Sequence, residues 1–264
     1  MKLEILHQPA AASANRHPPI LFVHGFFGSA QVWTPHFMPF FSGQGYDCHA
    51  FSLRGHGASD GMLSWAGLAE FGEDLVTLIA SLPEPPVLIG HSLGGLLIQH
   101  ALAHHPCRAA VLLASLPPSG LGSSAMHMSM LAPQVVWQVG LLQSLGPEAV
   151  SAETMTRAFL SDAATPAETR RLMLLLQRES PRVAAEVLAP SQPLPPRGAD
   201  RPPILVLGGD TDIFLPVSAF RETATFFGAD LRLLAGAPHA LMLDDRWWQT
   251  SADSILSWLA QHSV

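Results

Sequence analysis

Apolar positions along this chain fall into two patterns. Short unbroken runs, Ile20 to Val23, Val87 to Ile89, Ala109 to Ala114 and Ile204 to Leu207, are what strands buried on both faces require. Helix-length segments lie between them. Ser64 to Leu82 places Leu68, Phe71, Leu75, Leu78, Ile79 and Leu82 at helical spacing and stops at Pro83. Gly94 to His104, Val217 to Phe227 and Arg246 to Gln261 also read as helices, the last through Trp248, Ile255, Leu256 and Leu259. Leu3 to Leu6 is expected at a sheet edge, and Asp47 to Phe51 and Leu231 to Leu234 as further strands. This alternation predicts an α/β fold with a mostly parallel central sheet flanked by helices.

The alternation stops between Leu116 and Asp200. Pro117-Pro118 bounds that stretch on one side, and Pro190, Pro193, Pro195, Pro196, Pro202 and Pro203 bound it on the other. Inside it, Pro133 to Leu142, Ala152 to Phe159 and Pro166 to Arg178 read as short helices. The expected organisation is a core of residues 1–115 and 201–264, with 116–200 inserted as a helical cap over the sheet.

Composition narrows the function classes. Hydrophobic residues make up 48% of the 264 residues and charged residues 13%, enough to fill a large core. A formal net charge of −7 leaves no basic footprint for nucleic acid. Two cysteines, Cys48 and Cys107, make neither a disulfide framework nor a zinc pattern. No apolar run approaches the ~18 residues of a membrane span, and Met1 to Asn15 lacks the apolar core of a signal peptide. A cytoplasmic location with no integral membrane segment is therefore expected.

The strongest chemical signal is Gly90-His91-Ser92-Leu93-Gly94, followed by Gly95. It joins the strand Val87 to Ile89 to the helix starting at Gly94, the context a G-x-S-x-G nucleophile turn needs. The flanking glycines let the backbone fold sharply around a strained residue. A second signal, His24-Gly25-Phe26-Phe27-Gly28, follows the strand ending at Val23. Acyl transfer develops a negative oxygen, which aimed backbone N–H groups stabilise. Leu93, at a helix start, offers one such group, and Phe26 is expected to offer the other.

A serine hydroxyl needs a base. Of 13 histidines, His239 is the best placed, in the short loop Gly236-Ala237-Pro238-His239 after the last strand. His24, His56 and His91 sit in motifs where loop hydrogen bonding explains them. An acid must orient the imidazole. Asp212, in Gly208-Gly209-Asp210-Thr211-Asp212, is favoured; Asp210 competes, with turn capping as its other role.

Together with Arg54-Gly55-His56-Gly57-Ala58-Ser59, these motifs resemble the α/β-hydrolase superfamily, and within it the esterase and lysophospholipase-like members. The likeness covers nearly the whole chain outside the cap. It implies a Ser92, Asp212, His239 triad with an oxyanion hole at Phe26 and Leu93, and no metal or cofactor. Pro238 departs from the glycine that many such proteins have before the histidine, which stiffens the loop and leaves the base in place. Ser92 argues against the aspartate-nucleophile dehalogenases and epoxide hydrolases.

The fold alone does not set the substrate. Met126, Met128, Met130, Leu131, Val135, Val136, Trp137, Leu141 and Leu142 form an apolar, methionine-rich stretch suited to an adaptable acyl pocket, although packing of the cap explains the same residues. Phe27, Met128, Trp137 and Phe214 are the expected substrate contacts, and a small, apolar ester the expected partner. Thioesters, lactones, carbon–carbon bonds and cofactor-free perhydrolysis remain open to the same triad. A non-catalytic small-molecule receptor on this fold is the alternative of another class.

Overall fold

In the computed structural model, residues 1–11, 17–196 and 201–264 are described. The strands are β1 (Ile5–Gln8), β2 (Ile20–Val23), β3 (Cys48–Phe51), β4 (Val87–His91), β5 (Ala109–Leu113), β6 (Ile204–Gly209) and β7 (Asp230–Leu234). They form one sheet in the order β1-β3-β2-β4-β5-β6-β7. All neighbouring pairs are parallel except β1 with β3. Every residue of β2, β4, β5 and β6 is buried, as expected of strands covered on both faces. The edge strands β1 and β7 are only partly covered.

The helices are α1 (Phe37–Gly43), α2 (Leu68–Ser81), α3 (Leu93–Ala101), α4 (Gly122–Leu131), α5 (Pro133–Leu145), α6 (Ala152–Phe159), α7 (Pro166–Leu175), α8 (Pro181–Glu186), α9 (Val217–Phe227) and α10 (Trp248–Gln261). Helices α4 to α8 all fall between β5 and β6 with no described strand among them, so the break in the sequence pattern corresponds to a helical block. Its expected end at Asp200 lies outside the described residues. Three of these helices start where local chemistry directs. Pro133 opens α5, Thr165 and Glu168 form a capping box before Pro166 in α7, and Ser180 caps α8 just ahead of Pro181. No described helix is long and apolar enough to cross a membrane.

Several boundaries differ from the sequence expectation. The segment expected as one helix from Ser64 divides into a 3₁₀ turn at Leu63–Trp65 and α2 from Leu68. Gly67 is extended between them, its N–H taken by the Glu70 carboxylate at 2.9 Å. The first strand lies two residues later than Leu3 to Leu6, because antiparallel pairing sets Ile5 opposite Phe51. The helix expected to reach Arg178 ends at Leu175, which frees the next residues to bind a loop of the core. Helices α4 and α8 add to the short helices expected in the inserted stretch, whereas α1 has no counterpart in the sequence expectation. In α1 a proline, Pro39, obscures the pattern, although Phe37, Met38 and Phe41 are buried.

Candidate active site

Ser92 sits between the end of β4 and the start of α3 with φ 52° and ψ −114°. A non-glycine residue at positive φ stores on the order of 1–3 kcal/mol and persists only where its surroundings fix it. Here the Ser92 N–H donates to Leu113 O at 3.0 Å, and the Ser92 carbonyl receives the N–H groups of Gly95, Leu96 and Leu116. The glycines are steric requirements. A Cβ on Gly90 would lie 2.6 Å from the Gly94 carbonyl and from Ile98 Cδ1, and one on Gly94 would meet the Val23 and His24 carbonyls.

The loops after β6 and β7 are laced together beside it. Asp210 Oδ1 accepts the Gly236 N–H at 2.6 Å, and the Thr211 hydroxyl donates to Ala237 O at 2.9 Å. Asp212 Oδ2 then lies 2.7 Å from His239 Nδ1, both residues buried. The other oxygen, Oδ1, accepts the N–H groups of Phe214 and Leu215 at 2.8 and 3.0 Å. That arrangement fixes the carboxylate and assigns the Nδ1–H tautomer to His239, leaving Nε2 as the basic nitrogen. The two aspartates left open by the sequence thus separate: Asp210 holds a turn, and Asp212 meets the histidine.

The other motif histidines are structural. His24 receives the Leu53 N–H on Nε2 and donates from Nδ1 to Gly25 O; burial, with His56 nearby, pushes its pKa down to about 3. His91 is also held neutral by burial, and its Nε2–H donates to the His239 carbonyl at 3.1 Å, tying the turn at Ser92 to the loop that carries His239. Arg54 grips the Asp74 carboxylate of α2 through both Nε and an Nη, at 2.7–3.0 Å.

Phe26 lines the same cavity as Ser92, Leu93 opens α3 directly after it, and among the described residues neither backbone N–H has an acceptor. Phe27, at φ 61°, is held by the helical block: its N–H donates to Glu179 Oε2 at 3.3 Å and its carbonyl takes the Gln177 N–H at 2.8 Å. Buried Glu179 also accepts the Ser180 N–H and lies 3.2 Å from buried His56 Nε2, close enough for ion pairing although neither nitrogen of that ring has an aligned hydrogen-bond partner. Sequence reasoning passed over Glu179, since nothing near Arg178-Glu179-Ser180-Pro181 marks it beyond a helix start. The contact makes Glu179 a positioning residue for the 26–27 backbone. Glu179→Ala is expected to lower kcat about ten- to a hundredfold with little change in KM, with Glu179→Gln recovering part of the loss; steady-state kinetics of the three proteins check this.

Ser92 and His239 open onto one cavity of about 320 Å³ between the sheet and the helical block. Phe27, Met128 and Phe214, expected as substrate contacts, are among its lining residues, together with Phe26, Val136, Gly140 and Phe159. Phe159 and Phe214 both pack tilted against the His239 ring, with centroids 6.1 and 4.8 Å away. Trp137 is a correction. It lies on the outer side of α5, 68% exposed, while its neighbour Val136 and Val139 and Gly140 reach the cavity. Met126 and Met130 likewise face outward from α4. The apolar stretch gave no helical phase, because it is hydrophobic on nearly every side.

The profile described as "Alpha/beta hydrolase family" matches residues 20–249. A monoacylglycerol lipase from Mycolicibacterium smegmatis is 24% identical over 261 residues, covering 92% of this chain and 88% of that protein. The crystal structure of the Mycobacterium tuberculosis protein BpoC, named for a non-heme bromoperoxidase, superposes with a TM-score of 0.78 at 21% identity, covering 99% of this chain and 97% of that one. That of a monoacylglycerol lipase from Paleococcus ferrophilus superposes with a TM-score of 0.69 at 20% identity, covering 99% and 100%.

Proposed function

The chain belongs to the alpha/beta hydrolase family, and from that premise we propose that it is a serine esterase acting on a neutral ester with an apolar acyl group. The 2.7 Å contact of His239 with Asp212, in the cavity that also holds Ser92, carries the reading. His239 Nε2 takes the Ser92 proton as Oγ attacks the carbonyl carbon. The oxyanion is met by the Phe26 and Leu93 N–H groups, and His239 returns the proton to the leaving alcohol. Water, deprotonated by the same nitrogen, then cleaves the acyl-enzyme. The helical block α4 to α8 acts as a cap that excludes bulk water. Every proton and charge in this cycle is handled by the chain itself, so no metal or cofactor is required.

The substrate class follows from the cavity. Its lining is apolar apart from Ser92, His91, His239 and Gln143, and among the described residues no Lys or Arg side chain lines it. A substrate bearing a carboxylate would find no counter-charge there, whereas an alkyl chain would find continuous contact. The volume is at the small end of ligand sites, which run about 300–1,000 Å³, so a medium-length acyl chain suits it. A relative named monoacylglycerol lipase supports an ester of this kind.

The test is the rate of p-nitrophenyl ester hydrolysis against acyl length. Each methylene fully buried contributes about 0.8 kcal/mol, up to about fourfold in kcat/KM, until the cavity is filled. The expected profile rises to a medium-chain optimum and then falls; a steady decline from acetyl onward overturns the apolar acyl assignment. Gly140 gives a second reading of the same cavity. It lines the wall from within α5, and a Cβ there meets nothing within 4 Å. Gly140→Leu is expected to shift the optimum toward shorter chains without destabilising the protein, because leucine favours helix over glycine by roughly 0.5–1 kcal/mol. Chain-length profiles and thermal melts of the two proteins check it.

A further inference from the structure

At the edge of the sheet far from the cavity, three side chains converge without a role in the reaction. His7 on β1 and His49 on β3 are direct cross-strand partners, and their rings stack with centroids 4.5 Å apart. Asp47, one residue ahead of β3, reaches both. Its Oδ1 lies 2.7 Å from His7 Nε2, and its Oδ2 lies 2.9 Å from His49 Nε2. One ligand atom from each residue falls within 4.8 Å of the others. We propose that His7, Asp47 and His49 form a binding site for a divalent transition-metal ion of the zinc class.

The donor set selects the ion. Two imidazoles and a carboxylate suit Zn²⁺ and its borderline neighbours, whereas Ca²⁺ and Mg²⁺ require more oxygen donors. Around tetrahedral zinc, with bonds of about 2.0–2.2 Å, ligand atoms lie about 3.3 Å apart. The two imidazole–carboxylate separations, 2.7 and 2.9 Å, are shorter than that value and every pair lies within 4.8 Å, so adjustment at the side chains brings the three donors to it. Opening the stacked rings by rotation about χ2 turns both Nε2 lone pairs toward one point beside the carboxylate. As the ion takes each Nε2 lone pair, the ring proton moves from Nε2 to Nδ1, so both imidazoles bind as neutral ligands. Half-exposed His7 and Asp47 give it a path from solvent and leave room for water at the remaining coordination position.

Placement determines what the ion does. Asp47 precedes the amino end of β3, whereas Ser92 follows the carboxyl end of β4, so the two sites lie at opposite ends of the parallel strands. Binding therefore clamps the antiparallel edge strand β1 onto β3 and takes no part in ester cleavage. Because it requires His7 and His49 together in the folded sheet, the ion stabilises the fold by mass action.

The experiment is calorimetric titration of the tag-free full chain with ZnCl₂, beside melting curves with and without the ion. One equivalent should bind the wild type and raise its Tm. His7→Ala and His49→Ala should each weaken binding by about tenfold or more and abolish the rise in Tm. His239→Ala, in the active site, should bind as the wild type does. His7 is half exposed, so its substitution leaves the core packing in place; Asp47→Asn, similar in shape and lacking the charge, is the third variant. No saturable binding to the wild type overturns the proposal, as does binding that survives both edge substitutions or is lost in His239→Ala.

Discussion

Ser92→Ala is expected to reduce p-nitrophenyl ester turnover by about 10⁶, a loss of roughly 8 kcal/mol of transition-state stabilisation. The size follows from the unit the residue belongs to. Without Oγ, His239 has no proton to take and Asp212 no imidazolium to stabilise, so the whole covalent route closes at once. What survives is the residual effect of cavity binding and the Phe26 and Leu93 amides on attack by water. The substitution is well suited to the question because it removes one atom at a site fixed mainly by its backbone bonds to Leu113, Gly95, Leu96 and Leu116. Its melting temperature should stay near that of the wild type. A fluorophosphonate probe should label the wild type at Ser92 and leave the variant unlabelled. A loss of only a few-fold, with the fold intact, places the nucleophile elsewhere.

Much of this was readable from the sequence for a specific physical reason. Strands covered on both faces write themselves as unbroken apolar runs, so β2, β4, β5 and β6 appear without ambiguity. The turn at Ser92 is legible because sterics admit only glycine at 90 and 94. What the sequence hides is pairing across long separations. Glu179 reaches Phe27 from 152 residues away, and no local pattern announces the contact. Trp137 misled because periodicity assigns a face only when the opposite face is polar, and α5 exposes Trp137 and Leu145 while it buries Val135 and Leu142. His7 and His49 look like isolated polar residues until antiparallel pairing sets them side by side. The register of an edge strand depends on its partner, which is also why β1 begins two residues later than its apolar residues suggest.

The choice between the two aspartates after β6 has the second largest expected effect. Asp212→Asn should lower kcat about 10⁴-fold, while Asp210→Asn should leave kcat within roughly tenfold of the wild type. The amide at 212 keeps the shape of the side chain and can still accept the Phe214 and Leu215 N–H groups through its oxygen. It then presents an NH₂ to His239 Nδ1. That donor demands an acceptor, so the imidazole is driven into the Nε2–H tautomer and the nitrogen facing the nucleophile loses its lone pair. The imidazolium that forms during attack also loses its compensating charge. At 210 the carboxylate meets, among the described residues, only the Gly236 N–H, which an amide oxygen can accept equally well, so the cost falls on the turn and shows in the melting temperature. Steady-state kinetics and melts of the two variants side by side decide the matter. Equal losses of kcat in both would mean that the 208–216 loop acts through its shape alone, and the orienting role of Asp212 would have to be withdrawn.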